Sequence, residues 1–139
     1  MTFEKAFIYE KIETIEKYLR EVTDLLSLSD KDILSDYTKL HTAERLLQLI
    51  VDAMIDINQH IIKEKNLKII EDLQGTFYVL GDNAILPQDF VNKIAPVVAV
   101  RNRIVHGYET VDKNLLVVNL RKNYSDFEKY IKLIDKYLK

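Results

Sequence analysis

Glu44 to Ile61 reads E-R-L-L-Q-L-I-V-D-A-M-I-D-I-N-Q-H-I, and its spacing decides the fold class. Leu46, Leu47, Ile50, Ala53, Met54, Ile57 and Ile61 recur at steps of three, four or one. That is the period of one helical face, not the alternation of a strand. No glycine or proline interrupts the chain from Ser35 to Lys65. A helix of that length spans on the order of 45 Å at about 1.5 Å per residue. With one broad apolar stripe to cover, it is expected to be the spine on which the other elements pack.

Working outward, Phe3 to about Leu28 repeats the pattern through Phe7, Ile8, Ile12, Ile15, Leu19, Val22 and Leu26. Ser29 and Asp30 then suit a helix cap before a short helix, Lys31 to Leu34. Downstream of the spine the pattern loosens between Asn66 and Pro87. Gly75 and Gly81-Asp82-Asn83 are turn signals around a short helix, Thr76 to Leu80. Pro87 suits the first turn of a helix from Gln88 to about His106. Pro96 inside that helix predicts a kink or a restart, and Gly107 a stop. The last segment, Asp112 to Leu138, is again helical. Leu115 to Val118 alone could form a strand, but no second strand exists to pair with it. The expectation is an all-α, up-and-down bundle of four to five helices, in which long helices dominate and short ones connect them, with residues 1–139 as a single domain.

Composition narrows the function. With no cysteine among 139 residues, disulfides and thiolate metal sites are excluded. No apolar run reaches the roughly 18 residues that span a bilayer. The opening MTFEKAF lacks an apolar signal core, so a cytoplasmic protein without a membrane role is expected. A net charge of −2 argues against nonspecific coating of nucleic acid, so any RNA contact needs a local basic cluster.

V-R-N-R-I-V-H-G-Y, Val100 to Tyr108, carries the chemistry. The helix before it is expected to bury Ile94, Val97, Val98, Ile104 and Val105. That stripe puts Arg101 in its middle and Tyr108 one heptad later. A cation there is costly unless it is paired or faces a cleft. Asn102 and His106, four apart, lie about 40 degrees from each other on a neighbouring face. Arg101 and His106, five apart, are not aligned on a straight helix, yet all four side chains can converge near one helix end. Such a group can cleave RNA without a metal or other cofactor. A neutral His takes the 2′-hydroxyl proton or gives one to the leaving oxygen. A guanidinium matches phosphate oxygens and stabilises developing charge. One His per chain is too few for both acid and base. A homodimer with motif helices facing across a twofold would supply two His and two Arg to one cleft.

Plainer readings stand beside these. Arg101 can be a structural arginine whose head pairs with an acid of the long helix, and His106 a helix-terminal residue bonded to the last carbonyls. Tyr108 is one of eight tyrosines. Arg103 points away from Arg101, as an exposed or RNA-facing charge. Asp52, Asp56 and His60, at successive i, i+4 positions, can hold a divalent ion, but more simply form a polar stripe bonding Arg101, Asn102 or a partner subunit. Glu44 and Arg45 are expected to pair with other helices, and His41 to lie at the surface. Tyr124, Tyr130 and Tyr137 suit core and rim packing better than base stacking, with Lys122, Lys129, Lys132 and Lys136 on a solvated face.

Arg101-x4-His106-x-Tyr108 resembles the R-x4-H-x-Y signature of HepT-type toxins in the HEPN superfamily. The similarity extends to the Glu44–Ile61 helix, the loop after it and the motif-bearing helix. The resemblance implies a HEPN-like bundle dimerising through the motif helices, with metal-independent RNA cleavage by Arg101 and His106 and with Asn102 as a supporting polar residue. It also implies a cognate MntA-like minimal nucleotidyltransferase antitoxin that silences the toxin by adenylylating Tyr108. Assembly beyond the dimer is left open. The alternative is a catalytically silent helical dimer that binds a nucleotidyltransferase or a nucleotide. Arg101 buried in an ion pair with His106 facing outward would favour it. A plain structural bundle leaves the charge in the apolar stripe unexplained.

Overall fold

In the computed structural model, residues 4–107 and 112–139 are described. Among them lie α1 (Lys5–Leu26), α2 (Asp30–Leu34), α3 (Tyr37–Glu64), α4 (Gly75–Asp82), α5 (Gln88–Ile94), α6 (Val97–His106) and α7 (Lys113–Leu138), and no strand. The all-α expectation is met, and Leu115 to Val118 is helical.

The spine is α3, begun by Asp36, whose carboxylate accepts from the Thr38 and Lys39 amides. The Lys39 ammonium and these amides hold the Asp36 carboxyl below its ordinary range. At the other end Asn66 turns left-handed at φ 54°. Its amide and that of Leu67 bond back to Lys63 and Ile62, which stops the helix. The stripe read from the sequence is buried in full, from Leu46 and Leu47 through Ile57 and Ile61, and Leu40 and Ala43 extend it.

On that stripe α1 lies antiparallel: Lys11 pairs with Asp56 at 3.1 Å and Phe7 stacks on His60. α7 lies antiparallel to α1 in turn. Its Tyr124 hydroxyl meets Thr23 at 2.8 Å near one end. Arg121 clamps the α1–α2 turn through Asp30 and the carbonyl oxygens of Leu26 and Leu28. Between α7, α3 and α4 runs a buried polar chain. Tyr130 donates to Asn58 Oδ1 at 2.6 Å, Asn58 donates to Thr76 Oγ1, and Thr76 donates to the Leu73 carbonyl. Every hydroxyl and amide in it has a partner, which is what makes its burial tolerable.

The fourth long helix expected from Gln88 to His106 is instead two. Pro96 has no N–H to continue α5 and becomes the N-cap of α6. The Val98 and Ala99 amides bond only three residues back, to Ala95 and Pro96. Of the two outcomes the sequence allows, the helix restarts. Among the described residues, no helix is long and apolar enough to cross a membrane.

Candidate active site

α6 is anchored at its start and open at its end. Val97 and Val98 are buried, Ile104 is half-buried, and Val105 is 40% exposed, contrary to the burial expected for it. Burial falls along α6, from its buried first turn to its exposed last one. Gly107 closes it at φ 60°, a left-handed conformation that favours glycine, and its amide bonds to the Arg103 carbonyl at 3.1 Å.

Arg101 sits where the buried part of α6 gives way to the exposed part. Its Nε donates to Asp52 Oδ1 of α3 at 2.6 Å, and its Nη1 donates to Asn102 Oδ1 at 3.0 Å. The side chains of Arg101 and Asp52 are 17% and 31% exposed. The pair is therefore shielded but not sealed, and it resolves the cost of a cation in the apolar stripe. The fork is held by its Nε edge and one amino group, so its direction is defined by two elements at once. His106 is exposed at the helix end, as is Arg103. The Asp52–Asp56–His60 series divides. Asp52 bonds Arg101 as the polar-stripe reading expects, whereas Asp56 and His60 turn to Lys11 and Phe7 of α1. The trio does not converge, and among the described residues no group of three or more His, Cys, Asp or Glu is placed to hold a metal ion. Tyr108, expected as the modified residue, lies outside the described residues.

One chain thus holds Arg101, Asn102 and Asp52 together and leaves His106 on another face of the same helix. Taken alone, that arrangement meets the description of the silent binding module: an ion-paired Arg101 and an outward His106. Two further features go beyond the sequence reading. Leu115 and Val118, three apart in the first turns of α7, are 49% and 52% exposed, and Val105 leaves further apolar surface on the motif helix itself. Asp126 of α7 is 3% exposed, with Lys93 of α5 as a distant 3.7 Å partner. Its place between the buried Asn123 and Tyr130 in the core stripe was the available signal.

The family model described as Ribonuclease HepT-like matches residues 15–134. The chain belongs to that family. It is 35% identical over 136 residues to the tRNA nuclease HepT of Aphanizomenon flos-aquae, covering 97% of this chain and 92% of that one. To the mRNA nuclease HepT of Shewanella oneidensis it is 26% identical over 127 residues, covering 91% and 95%. Among solved structures, the tri-AMPylated Shewanella oneidensis HEPN toxin in complex with MNT antitoxin superposes with a TM-score of 0.87 at 25% identity, covering 94% of this chain and 97% of that one. The HepT-like bundle therefore spans nearly the whole chain, with the Arg101–His106 motif on its sixth described helix.

Proposed function

We propose that this chain is an RNA endonuclease, the toxin of a toxin–antitoxin pair acting in the cytoplasm, in which residues 1–139 form one domain and two copies build each active site. The observation that carries the reading is near full-length kinship to two RNA nucleases of one family, joined to a fixed arginine and an exposed histidine on one helix end. Arg101 and His106 diverge within a subunit, so a productive pair forms between motif helices facing across a twofold. The exposed Val105 supports that pairing, because it is apolar surface on the motif helix, next to His106, that a second copy would cover.

In the composite cleft one His106 accepts the 2′-hydroxyl proton. The 2′-oxygen attacks phosphorus, the bond to the 5′-oxygen breaks, and the other His106 gives that oxygen a proton. The products are a 2′,3′-cyclic phosphate and a 5′-hydroxyl. Arg101, oriented by Asp52 and Asn102, stabilises the charge gathered on the phosphate oxygens. No metal is required, since proton transfer and charge stabilisation are both supplied by side chains. The partner is an MntA-like minimal nucleotidyltransferase that adenylylates Tyr108, two residues after His106. The added phosphate and its bulk occupy the guanidinium and block the cleft.

The deciding experiment incubates purified protein with total RNA in EDTA, beside His106→Ala. Cleavage by the wild type alone, leaving 2′,3′-cyclic ends, is expected. The silent nucleotidyltransferase-binding or nucleotide-binding dimer is the second reading, favoured by the Arg101–Asp52 pair and the outward His106. No cleavage under any condition would overturn the nuclease reading and favour this one. Tyr108→Phe is expected to cleave RNA and to escape silencing by the nucleotidyltransferase.

A further inference from the structure

At the end of the bundle away from the motif, α1 begins, α3 ends and α7 ends. Two clefts adjoin there. One, of about 500 Å³, lies between the α4–α5 connection and α7, with Ile85, Pro87, Leu133, Lys136 and Tyr137 in its walls. The other, of about 280 Å³, is lined by Lys5, Lys65, Tyr137 and Lys139. Tyr137 is shared by both, and its half-buried ring is braced against the core. Among the described residues, no Asp or Glu lines either cleft. That is unusual for this chain, whose net charge is −2. Two other clefts, along α1, are walled by Glu10, Glu13 and Glu16 and by Glu16 and Glu128.

We propose that the paired clefts around Tyr137 form a second RNA-binding site, where Lys5, Lys65, Lys136 and Lys139 hold backbone phosphates and a base stacks on the Tyr137 ring. An aromatic ring set among cations is how single strands are held without sequence preference. The site adds cationic surface beyond the active site, where Asp52 already engages Arg101. Lys139 shares its charge with Asp135 at 3.1 Å, so the attraction is spread over four ammonium groups rather than set by one. Tyr137 stands 24 residues along α7 from Lys113, which is about 36 Å at about 1.5 Å per residue. At about 3.4 Å per stacked nucleotide, a strand needs on the order of ten nucleotides to reach from the motif to Tyr137. The site therefore selects for length: long or folded RNA engages both ends, and short fragments do not. The tyrosines and lysines of α7, which sequence reading assigns to packing and solvated surface, acquire this role only where α1 and α3 bring further lysines beside them.

This inference rests on the nuclease reading for its purpose but not for its test. The full chain carrying His106→Ala is titrated against fluorescently labelled single-stranded RNA of about 30 nucleotides, and against one of about six, by anisotropy over a salt series. Charge reversal at Lys5, Lys136 and Lys139 together is expected to weaken long-RNA binding about tenfold and to lower the salt slope by about 2, at about 0.7 per phosphate contact. Tyr137→Leu should weaken it several-fold and Tyr137→Phe should not. Reversal at Lys17, Arg20 and Lys132, in the acid-lined clefts along α1, is the control for net charge. The inference is overturned if the triple variant binds long RNA like that control, or if the unreversed protein binds no RNA. It is also overturned if the triple variant keeps RNA affinity but loses the nucleotidyltransferase, which would make the face a protein-docking surface. If wild-type protein cuts no RNA while the triple variant still loses long-RNA binding, the nuclease reading falls and this site stands.

Discussion

Replacing Asp52 by Asn tests whether the α3 carboxylate positions the catalytic arginine. Asp52 Oδ1 accepts from Arg101 Nε at 2.6 Å, and the two side chains are 31% and 17% exposed. With charge centres about 4 Å apart and an effective dielectric near 20, the gross attraction is about 4 kcal/mol. Desolvation of both groups offsets most of it. Exposed pairs net about 0–1 kcal/mol, and breaking buried ones costs about 3–5. For this half-shielded pair, Asp52→Asn keeps an acceptor for Nε and should cost about 1 kcal/mol, a fall in Tm of about 3–5 °C for a chain of this size. The functional effect is separate. Without the charge the guanidinium is held only by neutral amide oxygens, at position 52 and at Asn102, and samples other directions. Loss of about 1.4 kcal/mol of transition-state stabilisation lowers kcat about tenfold. The assay is single-turnover RNA cleavage with kcat and KM resolved, beside thermal unfolding of the same preparation. A variant with wild-type kcat would refute the positioning role. A variant with raised kcat would show that Asp52 only quenches the charge of Arg101.

Three further outcomes are expected. Tyr130→Phe strands Asn58 Oδ1 in the core and should cost about 1–3 kcal/mol, read by denaturant unfolding. Burial raises the Tyr130 hydroxyl well above 10.0, so the folded chain keeps a proton that the unfolded chain releases near that pH. Its contribution is complete below pH 10 and is lost as pH rises past it; Tyr130→Phe should remove that alkaline loss, and an unchanged profile would contradict the assignment. Gly107→Ala meets no atom within 4 Å, so its cost is the left-handed backbone alone, about 1–2 kcal/mol, with cleavage reduced because the substitution adjoins His106. Ala84, left-handed at φ 58° where α4 ends, should gain about 0.5 kcal/mol on replacement by Gly, measured as a rise in Tm.

The elements of this protein were legible because they depend on local spacing. The stripe of α3, the Ser29 cap of α2, the restart at Pro96 and the stop at Gly107 each follow from residues within a few positions of one another. The motif was legible for the same reason, since Arg101, Asn102 and His106 share one short helix. The sequence also put Asp52 on a polar stripe able to reach Arg101, 49 positions away. It could not say that Asp56 and His60 would turn to α1 instead, because that depends on which helix packs against which side of α3. Nor could it say that α6 would leave the core at Val105, or that Tyr137 would stand among lysines from three helices. Periodicity establishes which face of a helix is apolar, but not what lies opposite it. By itself, then, the sequence determined an all-helical bundle and an Arg–His motif at a helix end. The tertiary structure alone decided which acid holds the arginine, which apolar residues remain uncovered, and where cations from distant segments meet.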